Sequence, residues 1–233
     1  MSKEPSDKTT RQRSWVAHRA LVTLLRKVLA GRWGIRAARI YAAMLGISMI
    51  ATIWVVSSQN GADDTAMSLL ARAVGLLTWI AGGIAALSLA SPPKDPALAE
   101  SVAALASAHG VTEDAFARAE VAATVRLLVE VIVVPTFAIG AFVLVFVLGH
   151  PVAGTGWSIL GAVAFGLVAS MVLGVVASAC RRWGGGHGRR WLMGAVLLPW
   201  VVAELLVDGR ASAYLSIPGL LGRAWDALAA VGL

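Results

Sequence analysis

Residues Leu127–Leu148 read LLVEVIVVPTFAIGAFVLVFVL, a run whose single ionisable side chain is Glu130. A helix needs about 20 such residues, rising 1.5 Å each, to cross the ~30 Å hydrocarbon layer of a bilayer. Four more apolar runs surround this one: Ile40–Val56 and about Leu69–Leu89 before it, about Trp157–Ala179 and about Trp191–Val207 after it. The chain as a whole agrees, since 58% of its 233 residues are hydrophobic, 14% are charged and the mean hydropathy is +0.76. A soluble domain of this length is far more polar.

The expected fold class is therefore an all-α integral membrane protein with about five transmembrane helices. Basic residues divide the connections between the runs into two kinds. Arg32, Arg36 and Arg39 precede the first run, Lys94, Arg118 and Arg126 lie between the second and third, and RRWGGGHGRR at 181–190 carries four arginines between the fourth and fifth. The segments at 57–66 and 149–156 carry neither Lys nor Arg. Cytoplasmic loops hold the excess of Lys and Arg, so the alternation predicts a cytoplasmic N-terminus in a multi-pass protein of the inner (cytoplasmic) membrane. Residues 1–13 are polar and show no apolar core with a small-residue cleavage site, and they are expected to be retained.

Three regions follow from this pattern: a cytoplasmic N-terminus at 1–35, a transmembrane domain at 36–210 with a cytoplasmic loop at 92–126, and a helical tail at 211–233. Ser14–Ala30 places Leu21, Leu24, Leu25 and Val28 on one helical face and Arg19, Thr23, Arg26 and Lys27 on the other. This predicts an amphipathic helix, lying either on anionic inner-leaflet lipid or on the protein's own cytoplasmic side. The tail is interrupted by Pro218, Arg223 and Asp226. Each ionisable group in mid-bilayer costs about 2.5–3.5 kcal/mol on insertion scales, which favours a short outer-face or re-entrant helix starting near Ser216 over a sixth span.

The net charge of +7 does not mark a nucleic-acid binder, because most basic residues flank apolar runs instead of forming a patch on a soluble fold. Catalytic chemistry has little to work with. His18, His109, His150 and His187 are scattered, Cys180 is the one cysteine, and no HExxH, GxSxG or GxxxxGK[ST] motif is present. No catalytic, metal-binding or cofactor-binding residue is expected, and the chain is not read as an enzyme.

Ionisable groups and prolines within or beside the runs are the remaining candidates for gating or intramembrane polar contacts. Glu130 lies one turn beyond Arg126, so the two satisfy each other as an i,i+4 pair or serve gating or substrate contact. Arg72 and Glu204 both fall near the outer face, pairing across helices or snorkelling to the headgroups. Pro135 and Pro199 each remove a backbone donor inside a run and predict kinks. In the fourth run Ala162, Gly166, Ser170 and Gly174 recur every four residues, a small-residue stripe suited to close helix contact.

PALAESVAALASAHGVTEDAFARAEVAATVRLLVEV at 96–131 carries the most specific pattern. Gly110-Val111-Thr112 forms a turn, Thr112 is placed to cap a helix with Glu113 and Asp114 in its first turn, and Ala117-Arg118-Ala119 follow. In this motif, and in the order amphipathic helix, two spans, cytoplasmic helix, further spans, the chain resembles the permease subunit of the ABC-2 type family of ABC transporters. The resemblance covers roughly 14–233. It implies an exporter's membrane subunit, working as a homodimer or heterodimer with a separate ABC ATPase that binds the ATP. It also implies that Glu100, His109, Gly110, Thr112, Glu113 and Arg118 couple to that ATPase. Such permeases usually have six spans, and this chain departs from them in its tail. A non-transporting membrane scaffold or assembly subunit is the alternative, and a membrane-embedded lipid-modifying enzyme is disfavoured by the absence of clustered His, Asp or metal ligands.

Overall fold

The structure is a computed structural model that describes residues 7–57, 62–92, 96–147, 155–206 and 217–229. These are helical nearly throughout, and no strand occurs among them. Helix α1 spans Asp7–Ala30, α2 Trp33–Ser57, and α3 Ala62–Leu76, which passes through a π-helical turn at Leu77–Gly82 into α4, Gly83–Leu89. Helix α5 spans Pro96–Ala108 and α6 Glu113–Phe142, extended by a π-helical turn at Val143–Val147. Helix α7 spans Thr155–Gly184, α8 Gly188–Leu206 and α9 Ile217–Ala229.

Four continuous helical stretches are long and apolar enough to cross a membrane: Trp33–Val55, Leu69–Leu89, Glu113–Val145 and Trp157–Pro199. The fourth, at 43 residues, is twice the length of one crossing. It contains the fourth apolar run and the first part of the fifth, on α7 and α8, joined by a 3₁₀ turn at Gly185–His187. The chain bends sharply there. A Cβ placed on Gly188 would lie 3.0 Å from the carbonyl oxygen of Cys180, eight residues earlier, whereas a straight helix separates such residues by about 12 Å. Gly185 takes φ +49°, a left-handed conformation that costs a side-chain-bearing residue roughly 1–2 kcal/mol.

Helix α6 is central, packing against α1, α2, α3 and α7. Its buried face comprises Leu127, Leu128, Val131, Ile132 and Ile139. The small-residue stripe of α7 lies against it. Gly166 sits over Val133 and Ile132, and Gly174 sits so close to Val125 that a Cβ there would be 3.1 Å from its Cα. Backbones approach this closely only where no side chain intervenes. Pro135 does not interrupt α6, and Pro199 likewise lies inside the continuous α8.

The outside of the bundle is apolar. Ile40, Met44, Ile47 and Trp54 line the exposed face of α2, and Leu160, Met171 and Val175 are exposed on α7. Five exposed tryptophans lie near the two ends, Trp33, Trp183 and Trp191 where the arginines are and Trp54 and Trp157 at the other, while Trp79 is exposed midway along its span. An apolar girdle bounded by amphipathic indoles suits a lipid boundary on both sides.

Two expectations about the ends meet the structure here. Helix α1 packs its Leu21, Leu25 and Leu29 face on the protein itself, chiefly α6, leaving Leu24 exposed. Its apolar face thus rests on the protein's own surface. The described part of the tail is the 13-residue α9, about 20 Å long. It packs on α7 and α8, with Leu221 buried and Trp225 edge-on to Phe165 of α7 at 5.3 Å between ring centroids.

Candidate functional site: the arginine-rich end of the bundle

The end of α1, the starts of α2, α6 and α8, and the ends of α4, α5 and α7 meet at one end of the bundle. The last four carbonyls of α4 point there, and only that of Ala86 keeps an ordinary i,i+4 amide partner. Each is satisfied. The oxygen of Ala86 accepts from the Ala90 amide at 2.8 Å, that of Leu87 from Ser91 Oγ at 2.8 Å, that of Ser88 from Arg32 Nη1 at 2.6 Å, and that of Leu89 from Arg181 Nη1 at 3.0 Å. Arg32 Nη1 also donates to the Ser91 carbonyl at 2.8 Å, and Arg189 Nε donates to Ser91 Oγ. Three guanidinium groups from three helix ends thus converge on the negative end of one helix dipole.

One carboxylate answers them. Glu120 of α6 lies 2.8 Å from Arg181 Nη2, and Arg181 itself is 9% exposed. Burial, with repulsion from Arg181 and Arg189, pushes the Arg32 pKa down to about 10, only partly offset by Glu120. Arg32 stays charged at neutral pH.

Further along α6, Glu130 is held by two arginines. Arg26 of α1 reaches its Oε1 at 2.6 Å and Arg39 of α2 its Oε2 at 2.6 Å. Arg126, the i,i+4 neighbour considered from the sequence, is exposed and makes no ion pair among the described residues. Helix packing turns Glu130 toward α1 and α2 and leaves Arg126 on the outer face of α6. Glu113 pairs with Arg182 of α7 at 2.7 Å, at the surface, where such a pair contributes about 0–1 kcal/mol.

The Gly110-Val111-Thr112 turn has a complete local explanation. Gly110 at φ +72° ends α5, with its amide donating to Ser107 O at 2.9 Å and the Val111 amide to Ala106 O at 3.0 Å, the two bonds of a Schellman cap. Thr112 Oγ1 then accepts from the Ala115 amide at 3.3 Å and caps α6. His109 is exposed, its Nδ1 2.8 Å from Leu105 O. Glu100 and Arg118 are exposed on α5 and α6.

Helix α5 buries Val102 and Ala106 but leaves Leu98 and Leu105 exposed. Beneath it is a 330 Å³ hollow lined by Leu25, Leu29, Val102, Phe116, Glu120 and Arg181 among others. Arg72 is exposed near the opposite end of the bundle, while the side chain of Glu204 lies outside the described residues. No group of three His, Cys, Asp or Glu residues suited to a metal occurs among the described residues.

The fold and this end of it define an all-helical, multi-pass membrane protein whose ion pairs, among the described residues, lie toward one end. No family model, no curated protein and no solved structure matches the chain.

Proposed function

We propose that the chain is the membrane-spanning subunit of an ABC-type exporter, residing in the inner membrane with its arginine-rich end in the cytoplasm. A separate ATPase chain supplies the nucleotide chemistry, and two permease subunits form the pathway. The observation that carries this reading is the seating of α5. It rests on two small or medium side chains over a hollow, and that hollow is bounded by α1, α6 and α7. A partner gripping exposed Leu98 and Leu105 therefore moves a loosely held helix that touches the elements leading into the spans. In this scheme Glu100, His109, Glu113 and Arg118 supply the polar rim of the docking surface, while Gly110 and Thr112 set the angle between α5 and α6.

The test is to purify the tagged protein in mild detergent with its native partners, identify them by mass spectrometry and measure ATPase activity. Replacing 97–109 by a Gly/Ser linker is expected to abolish ATPase coupling without loss of membrane insertion. Unchanged coupling in that variant overturns the proposal.

A non-transporting scaffold is favoured by a different observation: Glu120 and Glu130 are both ion-paired within the subunit, leaving neither free to contact cargo. The two readings separate on nucleotide. Transport requires ATP to change cysteine accessibility near Pro135, whereas a scaffold keeps it constant.

A further inference from the structure

A 390 Å³ crevice opens between the start of α2, the end of α4 and the start of α8. Its lining combines two cations, Arg32 and Arg189, with the apolar side chains of Ile84, Leu87, Met193 and Trp33. Trp33 is 74% exposed, in the position of a headgroup-level indole. Arg32 and Arg189 donate to carbonyl oxygens of Ser88 and Ser91 and to the Ser91 hydroxyl, and neither forms an ion pair with a carboxylate among the described residues. Glu120, whose charge acts on Arg32, is ion-paired with Arg181. Two cations therefore share one crevice that no carboxylate among the described residues lines, at the level where the apolar runs begin.

We propose that this crevice binds one anionic phospholipid of the inner leaflet. Its phosphodiester lies between Arg32 and Arg189, and the first part of an acyl chain runs along Ile84, Leu87 and Met193. The charges select against a zwitterionic lipid, whose choline or amine would face the same two guanidinium groups. A basic pocket between membrane helices on the cytoplasmic side is chemically suited to a lipid phosphate, and Arg presents a donor fork matched to it. Because the lipid touches α2, α4 and α8 together, it completes a crevice that the protein's own side chains leave open. This site is independent of whether α5 receives an ATPase.

The experiment titrates dioctanoyl phosphatidylglycerol into the detergent-solubilised full-length protein and follows the thermal midpoint, with dioctanoyl phosphatidylcholine and glycerophosphate as comparisons. Phosphatidylglycerol is expected to raise the midpoint at concentrations where the other two do not. Arg189→Gln is expected to weaken that effect about tenfold or more, as the loss of a charged hydrogen-bonding group does, and Arg189→Lys to restore part of it. Met193→Trp fills the apolar arm with both charges intact and is expected to weaken the effect as well, each variant being read against its own lipid-free midpoint. Arg72→Gln, exposed near the opposite end of the bundle, leaves it unchanged. Equal stabilisation by phosphatidylcholine, an undiminished effect in both Arg189→Gln and Met193→Trp, or full stabilisation by glycerophosphate alone overturns the proposal, the last by showing a soluble-phosphate site.

Discussion

Arg181 of α7 donates to the carbonyl oxygen of Leu89, 92 residues earlier in the chain, while its other terminal nitrogen lies 2.8 Å from Glu120. One side chain thus joins the ends of α4, α6 and α7 and leaves its own Nε without a partner. Replacing it by Met removes the cap of Leu89 and leaves Glu120 unneutralised. Breaking a buried pair from one side costs about 3–5 kcal/mol. The expected result is a large fall in the thermal midpoint for Arg181→Met and a smaller fall for the double variant Arg181→Met, Glu120→Gln; equal falls would show that the pair is not coupled.

Glu130 balances two arginines, and Glu130→Gln leaves both beside a neutral amide. Because its side chain is 24% exposed, the expected cost is about 1–3 kcal/mol, below the range for a fully buried pair. A double-mutant cycle with Arg26→Gln and Arg39→Gln, read by thermal denaturation, is expected to show coupling to both. Coupling to Arg126 instead would contradict the observed geometry.

Gly174→Val tests the approach of α7 to α6. The added side chain meets Val125 backbone atoms, which move only by separating the helices. Overpacking of this kind costs about 1–3 kcal/mol. Gly46→Val, where a Cβ meets nothing within 4 Å, is the matched comparison and is expected to cost much less.

Gly110→Ala forces a Cβ into φ +72° at the cap between α5 and α6. The expected destabilisation is about 1 kcal/mol, concentrated in α5. Hydrogen exchange should quicken at Val111 and in the last turn of α5, while the buried amides of α6 near Leu128 stay protected.

Orientation is tested by single cysteines in a Cys180→Ser background. Asn60→Cys is expected to react with a membrane-impermeant maleimide from outside intact cells, and Ser107→Cys only after permeabilisation. The reverse pattern would place the arginine-rich end outside.

The element types and many of their boundaries were legible in the sequence because helix formation and bilayer matching are local. Apolar runs of the right length, the Thr112 cap with Glu113 and Asp114, and the Gly110 stop depend on residues a few positions apart. Even the small-residue stripe of α7 was visible, since a four-residue repeat keeps one helix face free of bulk. The glycine- and arginine-rich segment at 181–190 was legible as a turn, since α7 and α8 meet there through the Gly185–His187 3₁₀ turn, and the capped polar start of α6 at Glu113 was legible for the same local reason.

Partner choice belonged to the tertiary structure alone. Sequence spacing offered Glu130 its neighbour Arg126, yet the carboxylate meets Arg26 and Arg39, 104 and 91 residues away. In the same way the arginines that read as markers of a cytoplasmic side turn out to cap α4 and to line a crevice. A charge's position along a helix is set by its sequence, but the group it faces depends on how the helices rotate to bury their apolar stripes. That rotation is decided by packing among segments far apart in the chain, such as Gly174 of α7 against Val125 of α6 and α1 against α6.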